Sequence, residues 1–273
     1  MFLRPSHALV PEVYEQRPYL SRFIKGAWQE LKFSLNQRHP EPRRKFMIFA
    51  QGRTGSTLLT STLDRHPNIH CDDEILIVPR AFPRRFIEIA SRQNPAEAFG
   101  FHVKITQLHA WQRIHDIGGF LRDMEEDGWK IIYLWRDNLL RHVLSNVFAE
   151  ATGVFHMDGR QVRLESVRVP IERLASEINL RTRLRQAEQT ALQGRHYFEI
   201  VYERDLLEPN RQKETFAALQ EFIGVDGIHL EPQLKKMVVK PLSELLSNYD
   251  EVSDWITARP EYAHFLETGG QEE

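Results

Sequence analysis

The chain has 273 residues, a formal net charge of −2, and 41% hydrophobic, 10% aromatic and 27% charged residues. That composition belongs to a globular protein and excludes a disordered or collagen-like chain. At roughly 150 residues per domain, the chain makes one large domain, or one domain with an appended subdomain. The near-balanced charge gives no global field for a long polyanion, so no nucleic-acid partner is expected. Cys71 stands alone, which rules out an internal disulfide framework and any multi-cysteine zinc or iron–sulfur site.

Residues 1–45 mix proline, arginine and aromatic residues without a clear period, and they are read as an N-terminal extension packing on the core. They contain no apolar run long enough for a signal peptide or a membrane span, so a cytoplasmic location and no transmembrane segment are expected. The breaker-rich HPEPRRK then gives way to KFMIFAQG, which sets the start of the main domain at residue 46 and its extent at 46–273. The continuous apolar run 46–50 predicts a strand buried on both faces of a parallel sheet. After a glycine-containing turn, Leu58, Leu59, Thr62 and Leu63 share one helical face, and His66, Pro67 and Asn68 close that helix.

Further strands are predicted at 101–105, 130–135 and 196–202, alternating with helical periodicity. Leu139, Leu140, Val143, Leu144, Val147 and Phe148 mark one amphipathic helix. Ile171, Leu174, Ile178, Leu184 and Ala191 mark a longer one, and Phe216, Leu219, Phe222 and Ile223 a third, ended by Gly224. The β-then-α repetition makes the fold class α/β, with a P-loop-type parallel central sheet flanked by helices.

The main chemical signal is AQGRTGSTLL at residues 50–59, a turn between a buried strand and a helix. Glycines let the backbone fold tightly, so that successive N–H groups and the positive helix end converge on one oxyanion. Ser56 and Thr57 add hydroxyl donors and Arg53 a charged fork. The pattern departs from GxxxxGK[ST], because no lysine precedes the Ser-Thr pair, and the usual γ-phosphate and Mg²⁺ machinery is therefore not expected. A plain strand-to-helix turn, with glycine for geometry and serine for capping, accounts for the same residues without a ligand. A second anion-competent position is Arg136, at the carboxyl end of the strand KIIYLW, where ligands of open α/β sheets bind. Its alternative is a surface ion pair with Asp137 or a neighbour. Two such positions on strand ends suggest a ligand with two separated phosphate-like groups.

RTGSTLL after a strand, followed later by a strand with Arg136 and Ser145, resembles the sulfotransferases that use 3′-phosphoadenosine 5′-phosphosulfate, from about residue 46 to the C-terminus. The resemblance implies a sulfotransferase-like fold in which Arg53, Thr54, Gly55, Ser56, Thr57 and Leu58 hold the 5′-phosphosulfate and Arg136 and Ser145 the 3′-phosphate. LDRHPNIHCDDEILIVPR is similar to the tyrosylprotein sulfotransferase segment whose glutamate is the catalytic base, which makes Glu74 the base. VYERDLLEP and KPLSELLSNYDEV look like bacterial nodulation-type and related carbohydrate sulfotransferases. They place Tyr202 near the nucleotide and make Lys240 a further candidate.

The Arg136-to-Ser145 spacing is one residue longer than in cytosolic sulfotransferases, which lets Arg141 share the role. The Lys-Thr-His of those enzymes is missing. HVKITQLH stands there instead, with Lys104 placed to neutralise the transferring oxygens or, alternatively, serving as an ordinary surface charge.

The resemblance therefore implies an enzyme moving a sulfuryl group from the phosphosulfate to a hydroxyl of a carbohydrate or glycolipid, with Glu74, Arg53 and Lys104 catalytic. No metal is expected, because a sulfuryl group carries less charge than a phosphoryl group. A peptide tyrosine as acceptor, a P-loop kinase or nucleotide hydrolase, and a nonenzymatic nucleotide-binding module are the alternatives. A metal reading of His66, His70, Cys71 and Asp72 is disfavoured by the helix-breaking residues between the histidines. Trp111, Trp129, Phe155 and His156 are candidates to stack on an acceptor, and a homodimer is left open.

Overall fold

The computed structural model describes residues 19–35, 39–152, 166–231 and 241–267. The chain divides into two compact units, Met1–Trp135 with Leu184–Glu231, and Arg136–Arg183 with Pro232–Glu273. The first unit carries α1 (Tyr19–Leu35), β1 (Arg44–Ala50), α2 (Ser56–Leu63), β2 (Ile69–Glu74), α3 (Pro83–Ser91), β3 (Ala98–Val103), α4 (Ile117–Glu126) and β4 (Trp129–Trp135). The second begins with α5 (Leu139–Thr152) and most of α6 (Ile171–Ala191). The last turns of α6, β5 (Tyr197–Val201) and α7 (Pro209–Ile223) return to the first unit. Short helices α8 (Leu242–Leu245), α9 (Tyr249–Thr257) and α10 (His264–Glu267) complete the second.

The first unit is an α/β sheet of five parallel strands in the order β2-β3-β1-β4-β5, as the β-then-α repetition predicts. Residues 46–50 of β1 are completely buried, as expected for a central strand covered on both faces. Phe46, Ile48 and Ala50 share one face with Leu59 and Leu63 of α2 and Phe216, Leu219 and Ile223 of α7. Each large side chain so buried contributes roughly 1.5–3 kcal/mol. An ideal Cβ on Gly100 of β3 would lie 2.1 Å from the Phe46 ring, so only glycine lets that ring lie across its neighbour strand. α7 ends at Gly224 in the left-handed conformation, with φ 91°, the stop that the sequence signals.

Strand β2 is not among the strands that the sequence predicts. It is an edge strand, with Ile69 and Cys71 buried, His70, Asp72 and Glu74 partly open and Asp73 exposed. His70 stands between Asp64 and Asp72, with ring nitrogens 3.2 Å from each carboxylate. The Asp72 hydrogen bond, reinforced by both negative charges against the opposing effect of burial, raises the His70 pKa above 6.5. A raised folded-state value means that this stabilisation is complete below the unfolded value near 6.5 and is lost as pH rises through the folded value. His70→Gln is therefore expected to flatten the fall in stability above pH 6.5. Urea unfolding across that range checks it, and an unchanged slope would show that the histidine contributes nothing.

In the second unit, Leu140, Val143, Leu144 and Phe148 of α5 pack with Leu174 and Ile178 of α6 and with Leu245, Val252 and Ile256. Asn138 caps α5: its side-chain oxygen accepts the Arg141 N–H at 2.9 Å, while its amide donates to the Phe265 carbonyl at 2.8 Å. Among the described residues, no helix is long and apolar enough to cross a membrane.

Candidate active site

In a parallel sheet, all carboxyl ends lie on one edge. The connections leaving β1 and β4 run to opposite sides, to β2 and to β5, which makes the ends of these two neighbouring strands the place where the strand order reverses. The 51–55 loop follows β1 directly and Arg136 follows β4 directly.

Two residues of that loop have left-handed backbones, Arg53 with φ 70° and Gly55 with φ 97°. Gly55 adopts this freely, whereas Arg53 holds it against the steric preference of a residue with a Cβ, the kind of local strain found at ligand-binding turns. Left-handed residues alternating with ordinary ones turn successive N–H groups toward a common centre. The following helix α2 has no side-chain cap at its N-terminus. Its first N–H groups are thus open to an anion. Thr54 is buried and donates its hydroxyl to the Gln51 carbonyl at 2.7 Å, bracing the loop from beneath. Gln51 in turn donates to the fully buried Glu188 carboxylate at 3.2 Å, which also accepts the Tyr133 hydroxyl. Burial, together with Glu188, pushes the Tyr133 phenol well above its ordinary value.

Two of the sequence candidates close over this loop. An ideal Cβ on Gly55 would come 2.7 Å from the Tyr202 ring, so Tyr202, just after β5, lies against the loop. One on Gly52 would come 3.3 Å from Lys104 Cε and 3.4 Å from its Nζ, so the Lys104 ammonium lies across the loop from the end of β3. A cation thus reaches the loop from a different strand.

Lys104 also reaches Glu74. Its Nζ is 2.6 Å from Glu74 Oε1, while Gln107 donates its amide to Glu74 Oε2 and accepts the Lys104 N–H at 3.0 Å. A bulge in β2 explains how Glu74 gets there. The register steps from Asp72 opposite Phe101 to Glu74 opposite His102, which leaves Asp73 as the extra residue. A bulge of this kind re-aims side chains at a strand end. His102 is fully buried, with Nδ1 3.3 Å from Asp73 and 3.8 Å from Glu74, and Nε2 3.2 Å from the Ala50 carbonyl at the foot of the loop. The sequence marks neither His102 nor Gln107 as a site residue. A lone histidine inside an apolar strand and a glutamine in a turn carry no local signal of what stands opposite them.

Asp73, Glu74 and His102 are also the one group among the described residues whose ligand atoms, all within 4.8 Å of one another, are arranged to hold a metal ion. The Glu74 carboxylate is already engaged by Lys104 and Gln107. His66, by contrast, connects the Asp226 carbonyl to the Asn68 N–H, and burial raises the Cys71 thiol well above its ordinary value, so neither supports the metal reading weighed for 66–72.

Arg136 is buried and Ser145 partly buried on α5, both in the second unit, and Arg141 follows the cap. Ser56, Thr57 and Leu58 form the first turn of α2. Lys240, Phe155 and His156 lie outside the described residues. Trp129 is a core residue, packed edge-on against Phe99 and Phe101 rather than offered to a ligand. Trp111 is covered by the Arg22 guanidinium at 4.4 Å.

No family model matches the chain, and no curated protein matches it. Among solved structures the chain is similar to a mouse sulfotransferase, SULT7A1, complexed with PAP. The identity is 14% and the TM-score 0.41, over 75% of this chain and 65% of that one. The chain therefore spans just under two thirds of that protein's length.

Proposed function

We propose that the protein is a sulfotransferase that moves a sulfuryl group from 3′-phosphoadenosine 5′-phosphosulfate to a hydroxyl of a carbohydrate or glycolipid. One observation carries the reading: a single ammonium, Lys104, lies against both the anion-cradling loop at Gly52 and the carboxylate of Glu74. The loop supplies N–H donors for the phosphosulfate, and Arg53, Ser56 and Thr57 add charge and hydroxyls. Lys104 neutralises the sulfuryl oxygens as charge moves onto the departing phosphate. Glu74 accepts the acceptor hydroxyl's proton as that oxygen bonds to sulfur and the bridging sulfur–oxygen bond breaks. The products are the sulfate ester and 3′-phosphoadenosine 5′-phosphate. Gln107 holds Glu74 in line with Lys104, Tyr202 flanks the nucleotide, and Arg136 with Ser145 takes the 3′-phosphate. The motif resemblance at residues 53–59, 136–145 and 202 supports the choice of nucleotide. A metal has no step here, because Lys104 and Arg53 supply the cationic charge.

Calorimetry separates this reading from a kinase or a nucleotide hydrolase. 3′-Phosphoadenosine 5′-phosphate is expected to bind equally well with and without Mg²⁺, and ATP to bind far more weakly. Mg²⁺-dependent ATP binding in preference to the bisphosphate would reverse the assignment.

A further inference from the structure

His102 stands between Glu74 and the anion loop. It lies on β3, whose six residues are all buried, and is itself fully buried between the apolar Phe101 and Val103. With no exposed surface, it touches no substrate. An imidazole taken out of water costs stability unless its polar atoms are bonded, and both of its nitrogens are. Nε2 faces the Ala50 carbonyl at 3.2 Å, and a carbonyl oxygen only accepts, so Nε2 carries a hydrogen and donates it. Nδ1 faces Asp73 Oδ1 at 3.3 Å. Glu74 Oε1, at 3.8 Å from Nδ1, is beyond hydrogen-bond distance.

The two partners belong to the two segments whose separation matters. Ala50 is the last residue of β1, from which the 51–55 loop springs. Asp73 is the extra residue of the β2 bulge, outside the ladder and next to Glu74. Because β2 is an edge strand, backbone pairing holds this bulge from one side only. Lys104 and Gln107 act at the tip of the Glu74 side chain. His102 acts on the residue before it, in the bulge itself, and the same ring ties that bulge to the root of the loop. An apolar side chain would fill the space at a smaller desolvation cost and would join neither segment.

We propose that His102 is a positioning residue: Nδ1 holds the bulge and Nε2 the root of the loop, so that one buried ring sets the distance from the Glu74 carboxylate to the bound phosphosulfate. The inference rests on the sulfuryl-transfer reading, which gives the two segments their roles. A misplacement of about 1 Å can slow a reaction roughly 10²-fold, so a small shift of the bulge is enough to be read in turnover.

Asparagine and glutamine each keep one end of the ring. The asparagine amide puts an N–H donor where Nδ1 stands, and the glutamine amide puts one near Nε2. His102→Gln in the full chain is therefore expected to keep the Ala50 bond and release Asp73. Amide hydrogen exchange should rise at 72–75 and not at 51–56, and affinity for 3′-phosphoadenosine 5′-phosphate should be unchanged. Hydrolysis of the phosphosulfate, with water as the acceptor, should slow roughly 10–100-fold. His102→Asn is expected to do the reverse to the two segments, with exchange rising at 51–56 and bisphosphate affinity falling. The proposal fails if both variants loosen the same segments or the sheet as a whole, because His102 is then a core residue only. It also fails if His102→Gln hydrolyses the donor as fast as the parent. A parent that does not bind the bisphosphate refutes the sulfuryl-transfer reading and this inference with it. In a parent that does bind it, exchange that fails to separate between the two variants refutes the role of His102 alone.

Discussion

Glu74→Gln is expected to lower kcat by roughly 10²–10⁴-fold, the range for removing a positioned general base. The affinity for 3′-phosphoadenosine 5′-phosphate should be left essentially intact. The amide has the shape of the carboxylate but cannot take a proton from the acceptor. It also fits its neighbours less well. The pocket presents two donors, Lys104 Nζ to one oxygen and the Gln107 amide to the other, and an amide offers only one acceptor to them. Gln107 is not free to reverse, since its own oxygen accepts the Lys104 N–H. A modest loss of stability, about 1–3 kcal/mol, is therefore expected beside the loss of turnover. Glu74→Asp keeps the charge at a shorter reach and should fall between parent and amide. Calorimetry and steady-state rates on the three proteins distinguish an enzyme from a nucleotide-binding module, because a module has no turnover to lose. Glu74→Gln turning over within about threefold of the parent would falsify the base assignment.

The parts of this site legible in the sequence are those written in consecutive residues. β1 is a run buried on both faces, the loop is punctuated by two glycines, and β4 is an apolar run that ends at Trp135. Each has a local cause, whether period, turn chemistry or strand end, so each could be read before any contact was seen. What the sequence hides is assembled across strands. Glu74, His102, Lys104 and Gln107 come from two strand ends that meet only because β2 pairs with β3 and carries one extra residue. The acids at the end of this strand also hide it, since Asp72, Asp73 and Glu74 have poor strand propensity and β2 survives on Ile69 and Cys71.

α1 is hidden for the opposite reason. It has apolar side chains on its open face and again on its docked face, where Phe33 meets Phe86, so no single stripe stands out from residues 1–45. Trp129 shows the limit on aromatics: its residue type serves a sugar platform and a core equally well, and only its neighbours Phe99 and Phe101 decide.

Gly55→Ala is expected to cost stability and donor binding together, because two separate effects fall on one added carbon. With φ at 97°, any side chain at this position meets its own backbone, at roughly 1–2 kcal/mol. The new Cβ also falls 2.7 Å from the Tyr202 ring, and relieving that overlap by shifting a packed aromatic adds roughly 1–3 kcal/mol. If the backbone relaxes to avoid both, the N–H groups at the start of α2 turn away from their common centre, and affinity for the bisphosphate drops although no charged residue has changed. A second substitution separates the two effects. Adding Tyr202→Ala removes the overlap but not the φ strain, so the pair should regain part of the stability, and Tyr202→Ala alone is the reference from which the further loss of donor affinity due to the strain is read. Urea unfolding and calorimetry on the single and double variants give both quantities. An alanine at position 55 that changes neither would mean that the loop needs no left-handed turn there, and the anion cradle would lose its structural basis.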